Sequence, residues 1–389
     1  MDFALPVLAA SAAILLLVVL DARRAHQLPA LLPHTARPRG PAITVIIPAR
    51  NEAANIARCL DGVLRQDYAP YEVIVVDDHS TDETPRILAR YVEQHPDRLR
   101  AIRARPLPLG WVGKCNACYH GASQASNSLW LLFLDADTVP QPALLGALVA
   151  FAEQHQLDAL SVLPFNELPT LAEQLVLPVF YQFALTAFPL QKNLRPESAP
   201  AETVLANGQC LLVRSTTYWA IDGHAAVKDK VLEDIELARA LRRAGFRIGL
   251  ATAFDVLRVR MYRSFHEIAQ GLGKHANAGR RASGWRAFWA VMRMTLTTAL
   301  PPLLLLISLA QFATSPAPIA AASAFSSLLA YGAHWVFWAW RYRTWYRLPM
   351  RRAWLAPLGW LLYLSIVLLS TTRAWLGRGV AWKGRVYSS

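Results

Sequence analysis

Between residue 43 and about residue 250, short apolar runs alternate with amphipathic stretches. ITVIIPA, from Ile43, and YEVIVVDD, from Tyr71, are rich in β-branched residues and too short for buried helices. Helical spacing of apolar residues follows each run, over residues 52–66 and 83–94. LWLLFLD, residues 129–135, is a third run, with a helix expected over about residues 141–154. Continuous apolar strands joined by helices predict an α/β domain with a mostly parallel sheet covered by helices on both faces. Such sheets bind ligands beyond the carboxyl ends of their strands. Two of these three strand ends carry acids, Asp77/Asp78 and Asp135/Asp137.

Outside this region the pattern is that of lipid. Residues 3–20 hold 18 residues without a charge, followed by Asp21, Arg23 and Arg24. At about 1.5 Å per residue they just cross a hydrocarbon core of about 30 Å. Asp2 stands where a cleaved signal would carry basic residues, so a retained anchor is expected. Apolar stretches recur at residues 285–313, 318–340 and 353–372, with Trp and Tyr near their ends. Residues 168–190 and 258–281 read as interfacial. The expected organisation is an anchor (1–24), a Pro-rich linker (25–42), a cytosolic domain (43–256) and an amphipathic segment (257–284). Transmembrane segments (285–376) and a basic tail (377–389) complete it.

Composition agrees, with 54% hydrophobic and only 17% charged residues. The four cysteines are too scattered for a disulfide scaffold, and Cys115-x-x-Cys118 has no second pair to complete a zinc site. The net charge of +13 is unevenly placed: beyond Asp255 stand 17 basic residues and one acid, Glu267. Basic clusters between apolar runs fit cytosolic flanks and anionic headgroups, so no nucleic-acid partner is expected.

The candidate chemistry lies at the strand ends. Asp135-Ala136-Asp137 sets two hard oxygen donors beside one small residue, a pattern able to hold Mg²⁺ or Mn²⁺ and leave positions open for phosphate. Pro48-Ala49-Arg50-Asn51-Glu52 and Asp77-Asp78-His79-Ser80-Thr81-Asp82 end the other two strands, each before a helix whose free N–H groups favour anions. Leu232-Glu233-Asp234 opens a further helix.

Together PARNEAANIARCL, VDDHSTDET, DAD and LED resemble the signature set of family-2 glycosyltransferases, the inverting enzymes of GT-A fold, over about residues 43–279. The resemblance implies a UDP-sugar donor bound by Pro48, Ala49, Arg50, Glu52, Asp78 and Asp135, with uracil on Asp78 and the metal–diphosphate on Asp135 and Asp137. Asp137 with Asp135 would hold the metal, and Asp234 would be the catalytic base. Pro108-Leu109-Gly110-Trp111-Val112-Gly113-Lys114 is similar to a loop of the carotenoid and hopanoid-associated branch, which places Lys114 at the diphosphate. Gln270, Lys274 and His275 would cover the leaving UDP. The Q-x-x-R-W motif of processive synthases is absent.

The resulting expectation is a multi-pass enzyme of the bacterial inner membrane, its catalytic domain cytoplasmic. It would move a sugar from a UDP-sugar to a lipid acceptor such as a carotenoid, a hopanoid or another glycolipid precursor. A polysaccharide synthase of the same fold and an inactive membrane scaffold are the rivals. Basic clusters on both sides of residues 353–372 favour a cytosolic tail, with Pro357 and Gly359 making that stretch re-entrant or interfacial. The tail itself, Trp382-Lys383-Gly384-Arg385, resembles an element of related lipid glycosyltransferases.

Overall fold

The computed structural model describes residues 4–25, 28–188, 200–375, 380–382 and 385–387. In chain order the first elements are α1 (Ala4–Ala25), β1 (Arg39–Ala49), α2 (Ile56–Leu64), β2 (Ala69–Asp77) and α3 (Thr84–Gln94). Then come β3 (Leu99–Arg103), α4 (Gly113–Ser123), β4 (Trp130–Leu134), β5 (Thr138–Pro140), α5 (Leu144–Gln154) and β6 (Ala159–Asn166). Next are α6 (Leu171–Ala187), β7 (Cys210–Arg214), α7 (Ser215–Ala220), α8 (Glu233–Arg243) and β8 (Ile248–Val259). The C-terminal part holds α9 (Phe265–Met294), α10 (Leu300–Thr314), α11 (Pro318–Tyr346), α12 (Leu355–Trp375) and a small ribbon, β9 (Val380–Trp382) with β10 (Arg385–Tyr387).

The chain divides into two compact units. One comprises residues 28–167 and 189–261 and is built on an eight-stranded sheet of order β3-β2-β1-β4-β7-β6-β8-β5. β1, β2, β3 and β4 run parallel, as do β6 and β8, whereas β7 is antiparallel to both neighbours and β5 to β8. Four of the seven pairings are parallel, so the sheet is mostly parallel as the apolar pattern predicts, with β7 and β5 adding the antiparallel ones. An isolated run such as CLLVR carries no mark of its direction.

Two apolar clusters cover the sheet. Ile43, Val45, Ile47, Val73 and Val75 contact α2 and α5 on one side. Ile46, Ile74, Val76, Leu131 and Phe133 contact α4 and α8 on the other. That alternation along buried strands is why they read as unbroken apolar runs. Gly121 lets α4 lie close on the sheet, since a Cβ there would stand 2.6 Å from Ile46 and 2.9 Å from Val76. The Pro-rich segment before β1 is laid along β8, with Leu31 and Thr252 donating to the Thr252 and Pro29 carbonyls at 2.8 Å each.

The other unit comprises residues 1–27, 168–188 and 262–389. Four of its helical segments, Ala4–Arg23, Gly284–Thr314, Pro318–Tyr346 and Met350–Arg373, are long and apolar enough to cross a bilayer. α6 belongs here: a Thr170/Glu173 capping box starts it, and Val176, Leu177, Val179 and Tyr181 are buried. The interfacial helix expected there is thus a packed one. α9 passes through a π-turn, Thr295–Ala299, into α10. Pro301 and Pro302 explain the turn, because neither can donate to the carbonyls one turn back. His334 on α11 donates from Nδ1 to the freed Thr297 carbonyl at 2.9 Å. α12 runs unbroken through Pro357 and Gly359. Pro357 lies in its first turn, where a missing N–H costs no hydrogen bond.

Candidate functional site

The carboxyl ends of β2, β1 and β4 lie side by side: Ala49 is in register with Asp77, and Ile46 with Phe133. β7 runs the other way, Leu134 facing Cys210, so its entering loop, Asn207-Gly208-Gln209, reaches the same rim. The Asp135 amide donates to the Gln209 carbonyl at 3.0 Å. α4 and α8 begin at this rim and bring Lys114 and the Glu233-Asp234 pair.

These residues meet in a small cleft lined by Lys114, Asp135, Gly208, His224, Glu233 and Asp234. The Lys114 ammonium lies 2.8 Å from Asp135 Oδ1 and 2.7 Å from Glu233 Oε1. A cation in the first turn of a helix meets the positive end of the helix dipole, so the two acids are what hold it there. Burial alone would lower the Lys114 pKa, but Asp135 and Glu233 outweigh it and hold the ammonium well above the lysine range. Burial raises the Asp135 carboxyl, with Lys114 opposing. The Asp234 carboxyl is pushed up to about 6 by burial and by Glu233, against the pull of Lys114 and two backbone amides. Those amides aim it: Gly208 N donates to Oδ2 at 2.7 Å and Ile235 N to Oδ1 at 2.8 Å.

The β1 and β2 ends form a second group. Asp78 is 4% exposed, and its amide donates to the Ala49 carbonyl at 2.8 Å. Arg50 donates to the Asp78 carbonyl at 2.6 Å. Buried Glu52 receives the Asn55 side-chain amide at 2.8 Å, while its own amide donates to Thr84 Oγ1 at 2.8 Å. Asp137 is half-buried on the turn after β4. Pro48, Lys114, Asp135 and Asp234 therefore share the cleft, with Ala49, Arg50, Glu52, Asp78 and Asp137 on the adjoining strand ends. Gln270 lies in the other unit, exposed, its amide 2.8 Å from His266 Nε2. The side chains of Lys274 and His275 lie outside the described residues, as do Lys383 and Gly384 of the tail element.

Among the described residues, no group of three or more His, Cys, Asp or Glu is arranged to hold a metal by itself. Asp135 and Asp137 alone are hard, ionisable oxygen donors too few to cage an ion, the donor set of a cation that is also held by phosphate.

Three contributors escape a reading of the motifs as a base and a metal pair. Glu233 holds Lys114 and raises Asp234. Gly208 supplies an amide to Asp234, and a Cβ there would stand 3.1 Å from Asp234 Cβ and 3.2 Å from Lys114 Nζ. His224 lies under the cleft, its Nδ1 2.9 Å from the Tyr218 hydroxyl, and burial pushes its pKa down to about 3, so it is neutral. A glycine between two amides, N-G-Q, was the available signal for the loop.

Residues 44–174 match the profile of the family described as Glycosyl transferase family 2. The 4,4'-diaponeurosporenoate glycosyltransferase of Staphylococcus aureus strain USA300 is 27% identical over 261 residues, covering 66% of this chain and 65% of the relative. Its counterpart in strain MRSA252 is 28% identical over 263 residues, again 66% and 65%. The chain thus spans 65% of the length of these curated relatives. A solved mannosyltransferase from Pyrobaculum calidifontis, in complex with GDP-Man and Mn²⁺, aligns with a TM-score of 0.55 at 22% identity. That alignment covers 95% of this chain and 98% of the other, a likeness of fold.

Proposed function

We propose that this chain, which carries a Glycosyl transferase family 2 domain on a GT-A-like fold, is a membrane-bound inverting glycosyltransferase. Its donor would be a UDP-sugar and its acceptor a membrane lipid of the carotenoid, hopanoid or glycolipid-precursor kind. The domain would lie on the cytoplasmic side of a bacterial inner membrane. The observation that carries the reading is the Lys114-Asp135-Glu233-Asp234 cluster, which sets one cation beside one oriented, partly protonated carboxyl.

In this reading Asp234 accepts the proton of the attacking hydroxyl as that oxygen bonds to the anomeric carbon and the bond to the diphosphate breaks. Its raised pKa suits a group that must hold a proton near neutrality, and the Gly208 amide keeps one lone pair engaged so the carboxylate cannot rotate freely. Lys114 stands where negative charge grows on the departing diphosphate and stabilises it. A divalent cation, Mg²⁺ or Mn²⁺ held by Asp135 and Asp137, would supply further neutralisation of that charge. Asp78, with Arg50 tying its carbonyl, would receive the base. One displacement inverts the centre once, so an α-linked donor gives a β-product.

The test is incubation of the purified protein, reconstituted with lipid extract, with radiolabelled UDP-glucose and Mg²⁺ or Mn²⁺. The expected product is a single-sugar lipid whose anomeric proton reports a β-linkage by NMR. A polymer would mark a synthase, an α-product would remove the single displacement, and no transfer with any UDP-sugar would favour a scaffold.

A further inference from the structure

The connection from β3 to α4 leaves apolar groups in water. Residues 105–110 are all exposed; Leu109 is 102% exposed and Leu107 39%. The loop is nevertheless held. Trp111 N donates to the Pro108 carbonyl at 3.1 Å, Gly110 takes a φ of +79°, and Val112 N donates to the Lys228 carbonyl at 2.6 Å. Trp111 leans on Tyr119 at 5.5 Å between ring centroids, and Tyr119 on Trp219 at 5.6 Å, with Trp219 39% exposed. A rigid tip that keeps two leucines and two prolines in water gains nothing from folding, and it lies four residues before Lys114.

Around the tip the charge is positive. Arg103, Arg105, Lys228 and Lys230 are exposed; the facing acids are Asp222, bonded by the Tyr119 hydroxyl, and Asp229, paired with Lys230 at 2.8 Å. Leucines at a tip, Trp and Tyr behind them and a basic rim form the pattern that seats in an acidic lipid–water interface.

We propose that residues 106–111 are a bilayer-contacting loop, Leu107 and Leu109 entering the interface of acidic phospholipids while Arg103, Arg105 and Lys228 meet the headgroups. The inference rests on the membrane-bound reading and is independent of whether the chain transfers sugar. It would bring the cleft's lysine within a short loop of where a lipid acceptor resides.

The four cysteines of the chain are buried, so Leu109→Cys in the full chain can be labelled alone with an environment-sensitive fluorophore; Glu93→Cys, exposed on α3, serves as control. In nanodiscs of phosphatidylglycerol and phosphatidylcholine, the label at 109 is expected to shift to the blue. Brominated lipids should quench it several-fold more than the control, and quenching should fall in pure phosphatidylcholine. Quenching equal to the control overturns the proposal. So does a blue shift without lipid quenching, which would mean a protein partner or a second copy covers the tip. Absence of transfer by the unaltered chain in the same nanodiscs would count against the enzyme reading and leave the fluorescence result unchanged.

Discussion

Asp234 lies between two amides that fix it and two charges that pull its pKa in opposite directions, so its substitution isolates one function. Asp234→Asn is expected to cost about 10²–10⁴ in kcat while UDP-sugar affinity, read by calorimetry, stays near that of the unaltered chain. The rate should rise with pH along a limb near 6, because only the ionised carboxyl accepts a proton and burial holds it protonated below that pH. Glu233→Gln removes a like charge and should move that limb to lower pH, measured as kcat/KM against pH. Gly208→Ala forces the new methyl against Asp234 and Lys114, and should lower kcat more than it raises KM. The acids were legible in the sequence, since carboxylates after an apolar strand or at a helix start stand out against their neighbours. The amide of Gly208 was not, because it acts on a residue 26 positions away. No local periodicity encodes which loop a reversed strand delivers to a rim.

At the scale of elements, β1, β2 and β4 with α2, α3 and α5 were legible, because each of those runs is short, apolar and followed by helical spacing. β3, α4 and β5 were not, for LRAIR carries two arginines and is mostly exposed, and β5 is only three residues long. The reversal of β7 and the return of α6 to the membrane unit were not, since both depend on partners distant in sequence. The α9–α10 rod shows a local rule met by a distant side chain. Two consecutive prolines leave carbonyls without donors, and His334 answers one of them. His334→Leu should therefore destabilise the protein in detergent by about 1–3 kcal/mol, the cost of a buried unmet carbonyl. Pro301→Ala, which restores an N–H, should recover part of that loss. A double-mutant cycle of thermal unfolding measures the coupling, and strict additivity would show that the two residues do not share the carbonyl.

For the whole molecule, the number of crossings sets the side on which the tail lies. If all four apolar segments cross, the termini share a side, and Arg343, Arg347, Arg351 and Arg352 fall with the sheet-bearing unit on the other. That arrangement leaves Arg373 and the tail opposite to the side the basic-residue bias favours. Continuity of α12 through Pro357 favours the crossing. A cysteine at Ser388 is accordingly expected to react with an impermeant maleimide added outside intact cells. Protection of that cysteine would restore the re-entrant reading.

The lysine clasped by Asp135 and Glu233 has a thermodynamic consequence. Lys114 already neutralises Asp135 in part, so in the proposed reading a divalent ion arriving alone would have to compete with an internal cation for that carboxylate. A nucleotide diphosphate arriving alone finds Lys114 committed to two acids. Each ligand relieves the obstacle that the other meets, for the diphosphate can draw the ammonium away from the carboxylate that the ion needs. Ion and nucleotide should then bind with positive coupling, each strengthening the other by the same factor. In Lys114→Met the ion should bind more tightly by itself and that reciprocity should vanish, a pair of changes that titration calorimetry reads without any turnover.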